Sequence, residues 1–338
     1  MNILHFNSNN VGVTLMCNVK FLKTAYKKIF TFSFLIVLSL TAGSFIPFWV
    51  CAADVVEYNY EDPNPMMSAD GRYTAHRNSV DNAPNPTFSK IRSREGAQSF
   101  RAYINRLDPI NNYRMEITGF TPDRNEVNNG EETEDYWYGW STYIPGPYPP
   151  FTLITNFMWE TFFQLHARPP QGETWATYIG QSPPLAIQLE PTSDNAGKIV
   201  VKIRGMDDPY PQQRVSGNSH VKFNRSVYEY KTDEWIDFVV HTRLSSDSHG
   251  FTKIWVNGEL VVDYKGMNYY LGHGEGYPLH GLYMGWANTP KDNPEPVIER
   301  EIFHDSLRLS RGSWGGSYEA VAPKTSSLSA PTGVRLQF

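Results

Sequence analysis

The sequence predicts an all-β fold, a sandwich or barrel of short antiparallel strands. Three observations predict it. Aromatic residues make up 14% of the 338-residue chain. Proline and glycine, 24 and 25 residues, are scattered along it as turn formers. No long stretch carries helical periodicity, while short alternating runs recur between turn residues. The clearest run is KIVVKIR at 198–204, where Ile199, Val201 and Ile203 alternate with Lys198, Lys202 and Arg204. At 235–244, Ile236, Phe238 and Val240 alternate with Asp237, His241 and Arg243. The stretch 251–263 reads as a hairpin, FTKIWV and ELVVD joined by Asn257-Gly258, the strongest short-range hairpin signal. The Asn-, Pro- and Ser-rich stretch 68–86 reads as loop, and the segment from about Ala320 onward as a linker-like tail.

The first 53 residues differ from the rest. They hold Lys20, Lys23, Lys27 and Lys28, no acidic residue, an apolar run and a small-residue end before Asp54. This reads as a secretory signal peptide, with an uncleaved membrane anchor as the alternative. Without its four lysines the formal net charge of −5 becomes −9. An acidic mature chain argues against nucleic acid and anionic membranes as partners, so a polyanionic substrate needs a local basic cleft. Cys17 and Cys51 both fall in the leader, which leaves no thiolate for catalysis or metal binding in the mature chain. The expected organisation is signal peptide 1–53, one domain 54–320 and a tail 321–338, in a secreted monomer, periplasmic or extracellular.

Three segments carry groups that can do chemistry. In YRMEI at 113–117, alternation puts Arg114 and Glu116 on one face, as a polar pair on a sheet surface or as part of a site. In FFQLHAR at 162–168, Gln164, His166 and Arg168 share a face opposite Phe163, Leu165 and Ala167. An imidazole there can take a proton near neutral pH, and an amide and a guanidinium can bind a carboxylate. In YPLHGLY at 277–283, Tyr277, Leu279, Gly281 and Tyr283 share a face. Gly281 permits close approach of a chain or ligand, and Tyr283 offers a phenol.

Taken in order, R-x-E, Q-x-H and Y-x-x-x-G-x-Y resemble the three-motif signature of jelly-roll polysaccharide lyases, which alginate lyases show as R-x-E-L, Q-I/V-H and Y-F-K-A-G-V/I-Y. YWYGWSTYIPG (136–146), PPLAIQL (183–189), the stretch 235–261 and IFHDSLRLS (302–310) are similar to the heparin-lyase and glucuronan-lyase relatives. The resemblance implies a concanavalin-like jelly-roll β-sandwich of two antiparallel sheets. It implies β-elimination on a uronate-containing polysaccharide such as glucuronan, alginate or a heparin-like glycan. Carried over by position, Arg114 and Gln164 hold the uronate carboxylate, His166 is the base or its helper, and Tyr283 protonates the glycosidic oxygen. Glu116, Arg168, Lys202, Arg204, Tyr277 and His280 are the expected substrate-binding residues, with His241 and Arg243 as further candidates for the groove. The family's lysine in the third motif is Leu279 here, and His280 replaces that cation only if the strand is bulged. The elimination calls on no cofactor, and scattered-oxygen calcium sites leave no mark that sequence can place.

Two other functions fit an all-β secreted chain. A glycoside hydrolase needs two carboxylates of set separation, and the acidic cluster Glu131, Glu132, Glu134 and Asp135 falls in an Asn- and Gly-rich stretch that reads as loop. A lectin needs only the aromatic residues.

Overall fold

The computed structural model describes residues 55–58, 60, 74–77, 87–108, 113–118, 127–128, 131–132, 134–151, 159–170, 172–174, 177, 182–207, 220–274, 276–285 and 297–324. The leader, most of 68–86 and the chain beyond Lys324 lie outside the described residues.

The architecture is the concanavalin-like jelly-roll sandwich that the sequence predicts. In chain order its strands are β1 (Val56–Tyr58), β2 (Thr74–Arg77), β3 (Thr87–Ser89), β4 (Ser99–Asn105), β5 (Arg114–Thr118), β6 (Val127–Asn128), β7 (Glu131–Glu132), β8 (Tyr136–Tyr143), β9 (Glu160–Ala167), β10 (Leu185–Ser193), β11 (Ala196–Arg204), β12 (Val221–Lys231), β13 (Trp235–Arg243), β14 (Phe251–Val256), β15 (Glu259–Lys265), β16 (Gly276–Met284) and β17 (Glu299–Arg311). An eight-stranded antiparallel sheet runs β15-β14-β13-β8-β17-β4-β3, with β1 also on β17. A seven-stranded antiparallel sheet runs β12-β11-β10-β9-β16-β5-β2.

The elements follow from the sequence pattern. Ile199, Val201 and Ile203 of β11 and Phe238 and Val240 of β13 are fully buried, because alternation delivers each to the space between the sheets. Asn257 and Gly258 take positive φ values of 49° and 84°, as the two central positions of a tight hairpin turn require. Trp140 of β8 packs on Phe163 of β9 at 4.4 Å and on Phe238 at 5.1 Å, so one indole joins both sheets. Two sequence expectations are corrected. Thr74–Arg77, inside the predicted loop, forms an edge strand on β5, and Glu131–Glu132 pairs antiparallel with Val127–Asn128. The packed structure also continues past residue 320. Helix α1 (Tyr318–Val321) lies on the outer face of the eight-stranded sheet with Val321 buried, and Gly139 of β8 has no room for a side chain beneath the Val321 carbonyl.

A buried ion pair ties the sheets together. Arg300 of β17 donates from Nε to Glu160 of β9 at 2.7 Å and from Nη2 to the Pro149 carbonyl at 2.6 Å. Tyr148 donates to the other Glu160 oxygen at 2.7 Å, and its ring lies 4.3 Å below the guanidinium. Burial raises the Glu160 carboxyl above its ordinary range, and Arg300 holds it in check. Such a pair is stable only while both charges keep their partners.

Candidate active site

Strands β5, β16 and β9 lie side by side in the seven-stranded sheet, and their register brings the three motifs together. Arg114 is opposite Tyr283 and Glu116 opposite Gly281 across β5 and β16. Gln164 is opposite Leu279 and His166 opposite Tyr277 across β9 and β16. Directly opposed residues share a face, so all of these side chains stand on the face turned away from the core.

Two irregularities set that face. Between β10 and β9 the register shifts so that Ile187 meets Phe163 while Gln188 meets Thr161. Phe162 and Phe163 are thereby both buried, the former on Phe238 and the latter on Trp140. Thr161 joins Gln164 and His166 on the site face and accepts a hydrogen bond from Gln188 Nε2 at 2.9 Å. Between β16 and β9 a second shift falls between His280 and Tyr283. At its centre Gly281 has φ 140°, a conformation that strains any other residue, and a Cβ there would stand 2.7 Å from Glu116 Cα and collide with the Met115 carbonyl.

Glu116 is the hub of the site. Its Oε2 accepts from Arg114 Nε at 2.5 Å and its Oε1 from Gln164 Nε2 at 2.6 Å. Glu116 and Gln164 are both fully buried. Gln164 reaches Glu116 past Gly281, the β16 residue opposite Glu116, which has no side chain to block it. Burial works against the Arg114 charge, but Glu116 more than offsets it and leaves the guanidinium firmly protonated. Arg114 Cζ lies 4.6 Å from the Tyr283 ring centroid, and Trp159 and Tyr113 flank the same ring at 4.7 and 6.1 Å.

His166 is held as a neutral base. Its Nδ1 lies 2.9 Å from the Ala167 carbonyl, an acceptor only, so Nδ1 carries the proton and Nε2 presents a lone pair. Loss of hydration lowers its pKa to about 4, and the charge of Arg114 pushes the same way. Tyr277 stands 5.6 Å from the imidazole and under Arg168 at 5.1 Å. Each tyrosine of the third motif therefore has an arginine over its ring.

Lys202 and Arg204 project from the same face two strands away, since Ala186 of β10 is opposite both Gln164 and Lys202. Burial lowers both of their pKa values, and Arg204 donates to the Pro183 carbonyl at 2.7 Å. The structure does not bring His280 to the site. It is buried on the other side of β16 against Phe163 at 4.8 Å and Trp140 at 5.1 Å, because the bulge begins only after it. His241 and Arg243 are also elsewhere, on β13 of the other sheet, where His241 stacks on Trp137 at 3.6 Å and meets Asp135 at 2.5 Å. Sequence reasoning missed Thr161 and Trp159; only the bulge reveals the first, and nothing local marks the second.

A family model described as polysaccharide lyase matches residues 67–308, more than half of the chain. The chain belongs to the polysaccharide lyase family. Among solved structures the lyase is similar to an endo-β-1,4-glucuronan lyase from the fungus Trichoderma reesei, at 15% identity and a TM-score of 0.50, over 75% of this chain and 98% of that one. The alginate lyase AlyC3 matches at 13% identity and a TM-score of 0.40, over 63% of this chain and 75% of that one. An alginate lyase from Pseudomonas aeruginosa matches at 12% identity and a TM-score of 0.37, over 63% and 82%. No curated protein sequence matches the lyase. The first likeness supports the sandwich fold; which sugar the lyase takes is a question for its own site.

Proposed function

We propose that this lyase cleaves a uronate-containing acidic polysaccharide by β-elimination, leaving an unsaturated uronate end. The observation that carries the reading is the pairing of a neutral, half-buried His166 with a tyrosine and a cation on one sheet face. The C5 proton of a uronate is weakly acidic, and its removal needs the carboxylate charge offset. Arg114 spends Nε on Glu116 and keeps its terminal N–H groups, which suit a carboxylate. His166 Nε2 takes the C5 proton, the C–H electrons form the C4–C5 double bond, and the C4–O4 bond breaks. Tyr283 gives its phenolic proton to O4. Tyr277 and Arg168 flank the base and, with Lys202 and Arg204 farther along the sheet, line the path of the polymer. The scheme calls on no cofactor. Export by the leader at 1–53 and action as a monomer belong to the same proposal.

Ultraviolet absorbance of the protein mixed with glucuronan, polymannuronate, polyguluronate, heparin and hyaluronan tests it, because the conjugated product absorbs. A rise on one polymer, lost in His166→Ala and Tyr283→Phe and kept in Tyr277→Phe, is the expected result. Reducing ends without absorbance indicate hydrolysis, and binding without new ends indicates a lectin; either result overturns the mechanism.

A further inference from the structure

The resemblance assigns Gln164 to the substrate carboxylate, which calls for its amide N–H groups. The structure commits one of those N–H groups to Glu116 and leaves the carbonyl oxygen unpartnered. Nε2 donates to Glu116 at 2.6 Å, and the reverse orientation would set the amide oxygen against a carboxylate oxygen. The carbonyl oxygen is therefore fixed on the side away from Glu116. It is buried and has no donor among the described residues. A buried acceptor without a partner carries an unmet cost, and a group that donates to it recovers that cost. A sugar carboxylate has only acceptors to offer, whereas a ring hydroxyl is a donor.

We infer that Gln164 recognises a ring hydroxyl of the sugar by accepting its hydrogen bond on Oε1, so that the enzyme requires a uronate whose hydroxyl at this place is unsubstituted. Glu116 acts as a positioning residue, because its carboxylate fixes which end of Gln164 meets the sugar. This deepens the lyase reading above and rests on it. A site built around a hydrogen bond to a hydroxyl rejects analogues without that hydrogen far more strongly than an apolar pocket does.

The test compares glucuronan and polymannuronate, each native and with its free ring hydroxyls O-methylated and its carboxylates intact. Methylation removes the donor and adds little bulk. For the wild-type protein, kcat/KM read from the absorbance rise is expected to fall at least tenfold on methylation, on the order of one lost buried hydrogen bond. Gln164→Met replaces the carboxamide by a thioether of similar reach; it is expected to be slow on both forms, with a native-to-methylated ratio within about twofold of unity. Glu116→Gln, which frees Gln164 to turn over, is expected to narrow the ratio as well, and it serves if Gln164→Met does not fold. A wild-type ratio near unity overturns the inference, as it would if a resident water filled the carbonyl. A ratio as large in the folded variants as in the wild type also overturns it. If no native polymer gives absorbance, the lyase reading fails separately; the preference for native over methylated polymer is then read from wild-type binding affinity, and equal affinities sink the hydroxyl contact.

Discussion

Acidification from pH 7.5 to pH 5 should destabilise the folded lyase by about 2.5 kcal/mol, and the sign follows from which groups the fold buries. His304, buried, and His166, half-buried, are held in their neutral form, with pKa values lowered from 6.5 to about 3 and about 4 by loss of hydration. The unfolded chain binds these protons near 6.5 and the folded chain does not, so stability falls as pH drops through 6.5 and levels off only below the folded values. At pH 5 each histidine costs about 2 kcal/mol. Asp305 works in the opposite direction. Burial raises its pKa from 3.8 to about 6, so the folded state takes up a proton before the unfolded chain does and gains about 1.4 kcal/mol at pH 5. Buried His273 and His280 add to the loss and Glu160 to the gain. Melting curves at the two pH values and constant ionic strength should show Tm lower by about 5–10 °C at pH 5. In Asp305→Asn the offset disappears and the fall should grow by about 1.4 kcal/mol. A Tm that is unchanged or higher at pH 5, or a smaller fall in Asp305→Asn, would refute the reasoning.

Further predictions concern the site and its support. The acid limb of kcat/KM should lie near the lowered pKa of His166, about 4, in initial rates at a temperature where the protein stays folded; a limb near 6.5 would mean the base is not this buried imidazole. Gly281→Ala drives a methyl group into the Met115 carbonyl at a positive φ, and should cost about 3 kcal/mol or more in denaturant melts together with most of the activity. Arg300→Met leaves Glu160 charged and buried without its partner, and should cost about 3–5 kcal/mol; adding Glu160→Gln should recover a large part of that loss, whereas no recovery would mean the pair matters through packing alone.

The sheet strands were legible because each buries one face, and alternation records that directly in the sequence. Lys202 and Arg204 were placed correctly by the same rule, since the core claims Val201 and Ile203. The site face of β9 was legible only in part. Gln164 and His166 alternate normally, but the bulge at Phe162–Phe163 makes Thr161 their neighbour, and two adjacent phenylalanines look the same in a regular strand. The Arg114–Glu116 pair looked like an ordinary surface contact. It is a buried hub because Gln164, 48 residues later in the chain, reaches over Gly281 to join it. The Arg300–Glu160 contact spans 140 residues and has no local signal at all. His280 could join the site only if a bulge turned it outward, and the register shift begins only after it.

Arg308 has a consequence for how the domain begins and ends. Its side chain, buried in β17, donates from Nη2 to Glu57 on the first described strand and to Glu95 in the loop before β4, and from Nη1 to the Ala322 carbonyl behind α1. The Lys324 backbone N–H returns to Glu95 at 2.7 Å. The first strand and the last helix are thus fastened by a single clasp. In hydrogen exchange the amides of 56–58 and 320–324 should open as one cooperative unit, and loosening one should loosen the other. A recombinant fragment cut at residue 320 would lose the Ala322 and Lys324 contacts of the clasp, so its boundary belongs beyond Lys324.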